Sequence, residues 1–180
     1  MTERVFNVLF LCTGNSARSI LAESLLNRIG GGRFRVWSAG SQPKGAVHPL
    51  ALELLRSLDL PTAGLRSKSW DEFEQAGAPA MDFIFTVCDN AAGETCPVWL
   101  GHPVSAHWGI EDPAAVQGTE LQRKAVFVTA LGYLRRRIEA FVALPLRRLG
   151  PVALRAELAA IGAGEGASAG RALSAESPHD

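Results

Sequence analysis

The sequence predicts an α/β fold: a doubly wound, parallel sheet of four strands flanked by helices. Three observations carry this prediction. Short runs rich in apolar residues (Val8–Leu11, Phe34–Ala39, Met81–Cys88 and Pro103–Ala106) have strand length. Between and after them, apolar residues recur at helical spacing, so strand and helix alternate as in βαβ units. A chain of 180 residues suits one domain with a sizeable core. We assign that domain to residues 1–161 and read 162–180 as a disordered tail.

The elements follow in order. Met1 to Asn7 is a short lead-in, and the strand Val8–Leu11 ends at Cys12. From Ser16 to Arg28 the residues Ile20, Leu21, Leu25 and Leu26 mark a helix, which Gly30-Gly31-Gly32 stops. The second strand, Phe34–Ala39, leads into a loop from Gly40 to His48. Pro49 to Leu58 is helical, with Leu50, Leu54, Leu55 and Leu58 apolar. Ser67 to Ala76 is expected to start another helix, Ser69 and Glu72 having capping-box spacing. Two strands, Met81–Cys88 and Pro103–Ala106, precede the longest helical segment, Thr119 to Val142. Pro145 to Ile161 reads as an amphipathic segment interrupted at Gly150-Pro151. The tail is rich in Gly, Ala, Ser and Glu, and no internal repeat is visible. The runs Arg135-Arg136-Arg137 and Arg147-Arg148 are read as solvated helix faces.

Charge is balanced, with 18 basic and 18 acidic residues, which favours neither nucleic acid nor an anionic membrane. No signal peptide opens the chain and no apolar run is long enough to span a bilayer. The expected location is therefore cytoplasmic and reducing. Three cysteines are an odd count for a disulfide framework and suit thiol chemistry better.

The residues Cys12-Thr13-Gly14-Asn15-Ser16-Ala17-Arg18-Ser19 form the turn between the first strand and the first helix. Gly14 and Asn15 tolerate unusual backbone angles. Such a turn aims successive N–H groups at one spot, reinforced by the positive end of the helix dipole. Arg18 adds a planar, two-pronged donor suited to tetrahedral oxyanions. Cys12 lies at the mouth of this cradle, where the N–H groups and Arg18 are expected to depress its pKa and Ser19 to donate to its sulfur. Cys12 is thus a candidate nucleophile in an oxyanion pocket.

The strands before Cys12 and Cys88 are expected to be parallel, so both cysteines fall on the carboxyl edge where such sheets bind ligands. Cys96 follows Cys88 after seven residues. A helix between them would separate them by roughly 12 Å, too far for a disulfide. Small residues and Gly93 would let the segment bend, and a dithiol beside an oxyanion pocket suggests redox work. A zinc site from Cys88, Cys96, His102 and His107 is a competing reading, but lacks the close cysteine pair of structural zinc sites. Asp112, before Pro113, sits in an extended loop and is a candidate general acid.

Cys12-x5-Arg18-Ser19 with the later Asp112-Pro113 resembles the low-molecular-weight protein tyrosine phosphatase superfamily. The Cys88/Cys96 pair, the His107-Trp108-Gly109 run and the His48-Pro49 loop resemble its arsenate reductases, over roughly residues 5–142. Phosphatases of the family carry aromatic residues after Asp-Pro, where this chain has Ala114 and Ala115. The segment between the two later cysteines is one residue longer than in the better-known thioredoxin-coupled reductases.

The resemblance implies reduction of arsenate to arsenite without a cofactor or catalytic metal. Thr13 to Ser19 would bind the oxyanion, with phosphate or sulfate as competitors. Cys12 would attack arsenate and Asp112 would protonate the departing oxygen. Cys88 would then attack Cys12, and Cys96 would attack Cys88, leaving a disulfide for thioredoxin. The alternative is a phosphomonoesterase using Cys12, Arg18 and Asp112. A non-catalytic oxyanion sensor would need neither nucleophile nor acid. Some relatives hold potassium with residues corresponding to Asn15, Glu23 and Ser38; here Lys68 offers an ammonium in place of that ion.

Overall fold

The computed structural model describes residues 4–89, 99 and 101–168. Four strands, β1 (Phe6–Leu11), β2 (Phe34–Ala39), β3 (Phe83–Thr86) and β4 (Val104–His107), form one sheet in the order β2-β1-β3-β4. All pairings are parallel, with Val8 opposite Val36 and Phe83, and Phe83 opposite Val104. β1 begins two residues before the expected Val8, β3 is shorter than Met81–Cys88, and β4 lies one residue later than expected.

Alternation along the strands builds two cores. Val8, Phe10, Phe83 and Phe85 face α1 (Arg18–Ile29), α2 (Pro49–Ser57), α3 (Glu120–Val142) and α4 (Pro151–Gly162). Within this core Trp108 is fully buried and stacks on Phe85, ring centroids 3.8 Å apart. Leu9, Leu11, Ala39 and Ile84 face the other way, against Phe73 and Met81. Trp37, Trp70 and Trp99 pack on that second cluster. Each large side chain so buried contributes about 1.5–3 kcal/mol.

Several boundaries differ from the expectation for physical reasons. α1 starts at Arg18, not Ser16, because Ser16 and Ala17 belong to the turn. The expected helix from Ser67 is a single 3-10 turn, Trp70–Phe73. Ser69 does cap it, accepting from Asp71 N, but Glu72 pairs with Arg66 at 2.9 Å and no capping box forms. α3 carries the box instead, between Thr119 and Gln122. Gly150-Pro151 starts α4 rather than interrupting it. Arg137 is not on a solvated face: it is only 3% exposed, whereas Arg135 and Arg136 are exposed.

Residues 163–168, expected within the disordered tail, return to the loop that follows β4. Ala167 forms an antiparallel bridge with Ile110, and Ser168 is buried. The remainder of the expected tail, 169–180, and Cys96 lie outside the described residues. Among the described residues no helix is long and apolar enough to cross a membrane.

Candidate active site

The turn after β1 forms the floor of a cavity of about 370 Å³ lined by Cys12, Thr13, Gly14, Ser16, Ala17, Arg18, Gln42, Lys44, Asp112 and Ala114. Asn15 is the residue in the left-handed region (φ 43°), a conformation that asparagine tolerates. α1 has Ala17 at its N-cap and no side-chain cap bond, so its first-turn N–H groups remain for an anion.

Asn15 and Ser19 stand behind the cavity. Asn15 Nδ2 donates to Ser19 Oγ at 2.8 Å and Ser38 Oγ at 2.9 Å, and its Oδ1 accepts from Lys68 N at 2.9 Å. The contact Ser19 makes is thus with Asn15, in place of the expected bond to the Cys12 sulfur. The network continues from Ser38 Oγ to Glu23 Oε1 at 2.6 Å, with Lys68 Nζ 3.8 Å from the same oxygen. Burial pushes the Glu23 carboxyl up and the Lys68 ammonium down, each opposed by the other's charge. Asn15, Ser38 and Glu23 bond one another, with the ammonium supplying the positive charge beside them. This arrangement does not fit a potassium site.

Gly40, at the end of β2, lets that strand approach the turn: a Cβ there would lie 2.4 Å from Thr13 O and 2.5 Å from Cys12 O. The following loop bonds the turn through Gln42 N to Thr13 O and Lys44 N to Gly14 O, each at 3.0 Å. Sequence reasoning missed Gln42 and Lys44, although a loop leaving the carboxyl edge of the sheet was the signal available. His48 is structural: it caps α2 through Nδ1, accepting from Leu50 N at 3.1 Å, and packs on the Phe127 ring.

Arg18 Nη1 donates to Ile110 O at 2.9 Å, and Nη2 lies 3.6 Å from Asp112 Oδ2. Arg18 Nε is buried without a hydrogen-bond partner among the described residues, a donor that suits an oxyanion. Asp112 is extended (φ −75°, ψ 110°), and its Oδ1 accepts from Ala114 N at 2.9 Å. Cys12, Arg18 and Asp112 therefore share one cavity.

Cys88 joins them. Its Sγ receives Thr13 N–H at 3.3 Å and lies 3.6 Å from Thr13 Oγ1. It lies beside Cys12, close enough to shift its titration, and both cysteines are buried. The expectation of a depressed Cys12 pKa is overturned. The neighbouring Cys88 thiol and burial hold the Cys12 thiol well above its ordinary range, outweighing Arg18 and the Gly14 N–H. For the zinc reading, both His107 ring nitrogens are engaged, Nδ1 with Thr86 Oγ1 at 2.7 Å and Nε2 with Asp89 Oδ1 at 2.8 Å.

A family model described as low molecular weight phosphotyrosine protein phosphatase matches residues 7–145. An arsenate reductase of Oceanobacillus iheyensis is 35% identical over 134 residues, 74% of this chain and 93% of the relative. The crystal structure of an arsenate reductase from Archaeoglobus fulgidus superposes with a TM-score of 0.60 at 27% identity, covering 76% of this chain and 99% of that one. A thioredoxin-dependent arsenate reductase of Corynebacterium glutamicum gives a TM-score of 0.54 at 26% identity, covering 75% and 61% respectively. With a parallel sheet, a phosphate-type turn and a family match over most of its length, the chain belongs to the low molecular weight phosphotyrosine protein phosphatase family.

Proposed function

We propose that this protein reduces arsenate to arsenite through a three-thiol relay, in the cytoplasm, with thioredoxin as reductant. The observation that carries the reading is Cys88, whose sulfur takes the Thr13 N–H of the turn and lies beside Cys12, close enough to shift its titration. Hydrolysis of a phosphoester needs a nucleophile, an arginine and an acid; it has no use for a second thiol there. The names of the relatives support arsenate as substrate, and the Corynebacterium neighbour supports thioredoxin.

The Cys12 thiolate attacks arsenic held by the turn's N–H groups and Arg18, and a hydroxyl of arsenate leaves as water after taking the Asp112 proton. The Cys88 thiolate attacks the Cys12 sulfur. An S–S bond forms, and the electron pair of the broken S–As bond stays on arsenic, which falls from As(V) to As(III) and departs as arsenite. Cys96 then attacks Cys88, freeing Cys12. A thioredoxin dithiol takes up the Cys88–Cys96 disulfide and is itself oxidised.

The test is a single turnover of the pre-reduced protein with arsenate and no added thiol. One arsenite per chain, the loss of two thiols and a Cys88–Cys96 disulfide are expected. No arsenite, with steady hydrolysis of an aryl phosphate, would assign the site to a phosphomonoesterase.

A further inference from the structure

The residues beyond the family match reach back into the site. The match ends at residue 145, and α4 follows at Pro151–Gly162. Leu158, fully buried on α4, gives its carbonyl to the indole Nε1 of Trp108 at 2.9 Å. The chain then turns, with Glu165 paired to Arg136. Ala167 bridges Ile110, and Ser168 N donates to Gly109 O at 3.1 Å. On its other side, Ile110 holds Arg18 through its carbonyl.

The end of this path is a carboxylate next to the second thiol. Ser168 Oγ donates to Asp89 Oδ1 at 2.6 Å. The same oxygen meets His107 Nε2 at 2.8 Å, and His107 Nδ1 meets Thr86 Oγ1 at 2.7 Å. Packing around this junction is close. A Cβ on Gly109 would lie 2.6 Å from both His107 Nε2 and Ser168 Oγ, and 2.7 Å from Asp89 Oδ1. Burial pushes the Asp89 carboxyl up, but the Ser168 and His107 bonds outweigh it and keep Asp89 below its ordinary range, hence ionised at neutral pH.

Asp89 directly follows Cys88, so fixing its side chain restricts the backbone that aims the Cys88 sulfur. Thr13 N–H holds that sulfur from the front and Asp89 holds the chain from behind. We propose that Ser168 is a positioning residue for Cys88: the segment beyond the family match clamps Asp89 and so sets the approach of Cys88 to Cys12. The proposal rests on Cys88 being the thiol that resolves the Cys12 adduct. Attack at sulfur demands alignment, and a thiol misplaced by about 1 Å can lose on the order of 100-fold in rate.

The experiment uses the full chain in a Cys96→Ser background, so that Cys12 and Cys88 are the only thiols. Two rates of Cys12–Cys88 disulfide formation are measured by non-reducing peptide mapping. One is driven by arsenate in a single turnover. The other is driven by diamide, which takes two electrons and two protons from the thiol pair and becomes the hydrazine. Phosphate affinity, read as protection of Cys12 from iodoacetamide, reports the cavity independently of Cys88.

Ser168→Ala is expected to slow both disulfide rates about tenfold, the loss of one hydrogen bond to a charged acceptor. Phosphate affinity should be unchanged, and Ser168→Thr, which keeps the hydroxyl, should restore the rates. Unchanged disulfide rates in Ser168→Ala, or a parallel loss of phosphate affinity, overturn the proposal, since Ser168 would then have no role or a general structural one. Failure of arsenate alone to drive the disulfide in the unmodified Ser168 background rejects the reductase reading, and the diamide rates still decide the positioning.

Discussion

At the scale of single residues, the proton on Cys12 decides when the proposed chemistry starts. Its pKa is raised chiefly by the Cys88 thiol and by burial, so the thiolate fraction at neutral pH is small and grows as pH rises. Cys88→Ala removes the largest of these causes, so the Cys12 pKa must fall. The alkylation rate of Cys12 against pH should show its midpoint moved to lower pH in that variant. A midpoint that does not move would mean Cys88 is not what holds the proton. In the proposed reaction Asp112 acts later, when the leaving oxygen needs a proton. Its partner in the loop is Ala114 N, a bond an asparagine oxygen can keep. Asp112→Asn should therefore lower the single-turnover rate by ~100- to 10,000-fold while phosphate still protects Cys12 from alkylation. An equal loss in both measurements would make Asp112 a binding residue instead.

At the scale of elements, the turn is held by what lies beneath and beside it. Glu23 on α1 and Lys68 in the loop before the Trp70 turn are both buried, side chains 10% and 5% exposed. Removing one partner of such a pair leaves a charge in the core, at about 3–5 kcal/mol. Lys68→Met strands Glu23, whose folded-state pKa is already above its unfolded value. A raised carboxyl pKa costs stability as pH climbs from the unfolded value through the folded one. Lys68→Met should therefore lose more stability at pH 8 than at pH 5 in denaturant titrations, and adding Glu23→Gln should recover much of it. Gly40→Ala tests the neighbouring strand. Its Cβ would collide with two backbone oxygens of the turn, so a displacement of about 1 Å should reduce activity on the order of 100-fold. How much of this was legible in the sequence follows from range. β1, the turn and α1 are consecutive, so apolar runs and Gly-Asn-Ser located them, and parallel strands placed Cys88 beside Cys12. The Thr119/Gln122 box is equally local and could have been read. Glu72 pairs with Arg66, a contact that capping-box spacing does not show. Gln42, Lys44 and Ser168 reach the site through loop paths and a returning segment, which no local pattern encodes. The sign of the Cys12 shift was missed because it depends on the Cys88 thiol beside it and on how deeply the pair is buried.

At the scale of the whole molecule, the carboxyl edge of the sheet gathers groups that are remote in sequence. The turn after β1 brings Cys12 and Arg18, the end of β3 brings Cys88, the loop after β4 brings Asp112, and the loop after β2 brings Lys44. Cys12, Arg18 and Asp112 would serve any oxyanion ester; in the proposed relay the thiols of Cys88 and Cys96 distinguish a redox enzyme from a hydrolase. This gives a test of the relay as a sequence of trapped states. Cys88→Ser should bind arsenate and release no arsenite, because the Cys12–arsenic bond then has no sulfur to resolve it. Cys96→Ser should release one arsenite and stop as a Cys12–Cys88 disulfide, which thioredoxin cannot reach while it is buried among core residues. The unsubstituted protein after one turnover should carry Cys88–Cys96 and, with thioredoxin as sole reductant, continue. Peptide mapping under non-reducing conditions separates the three species. If both variants turn over arsenate at the unsubstituted rate with thioredoxin alone, electrons bypass Cys88 and Cys96, and an external thiol must resolve the Cys12 adduct directly.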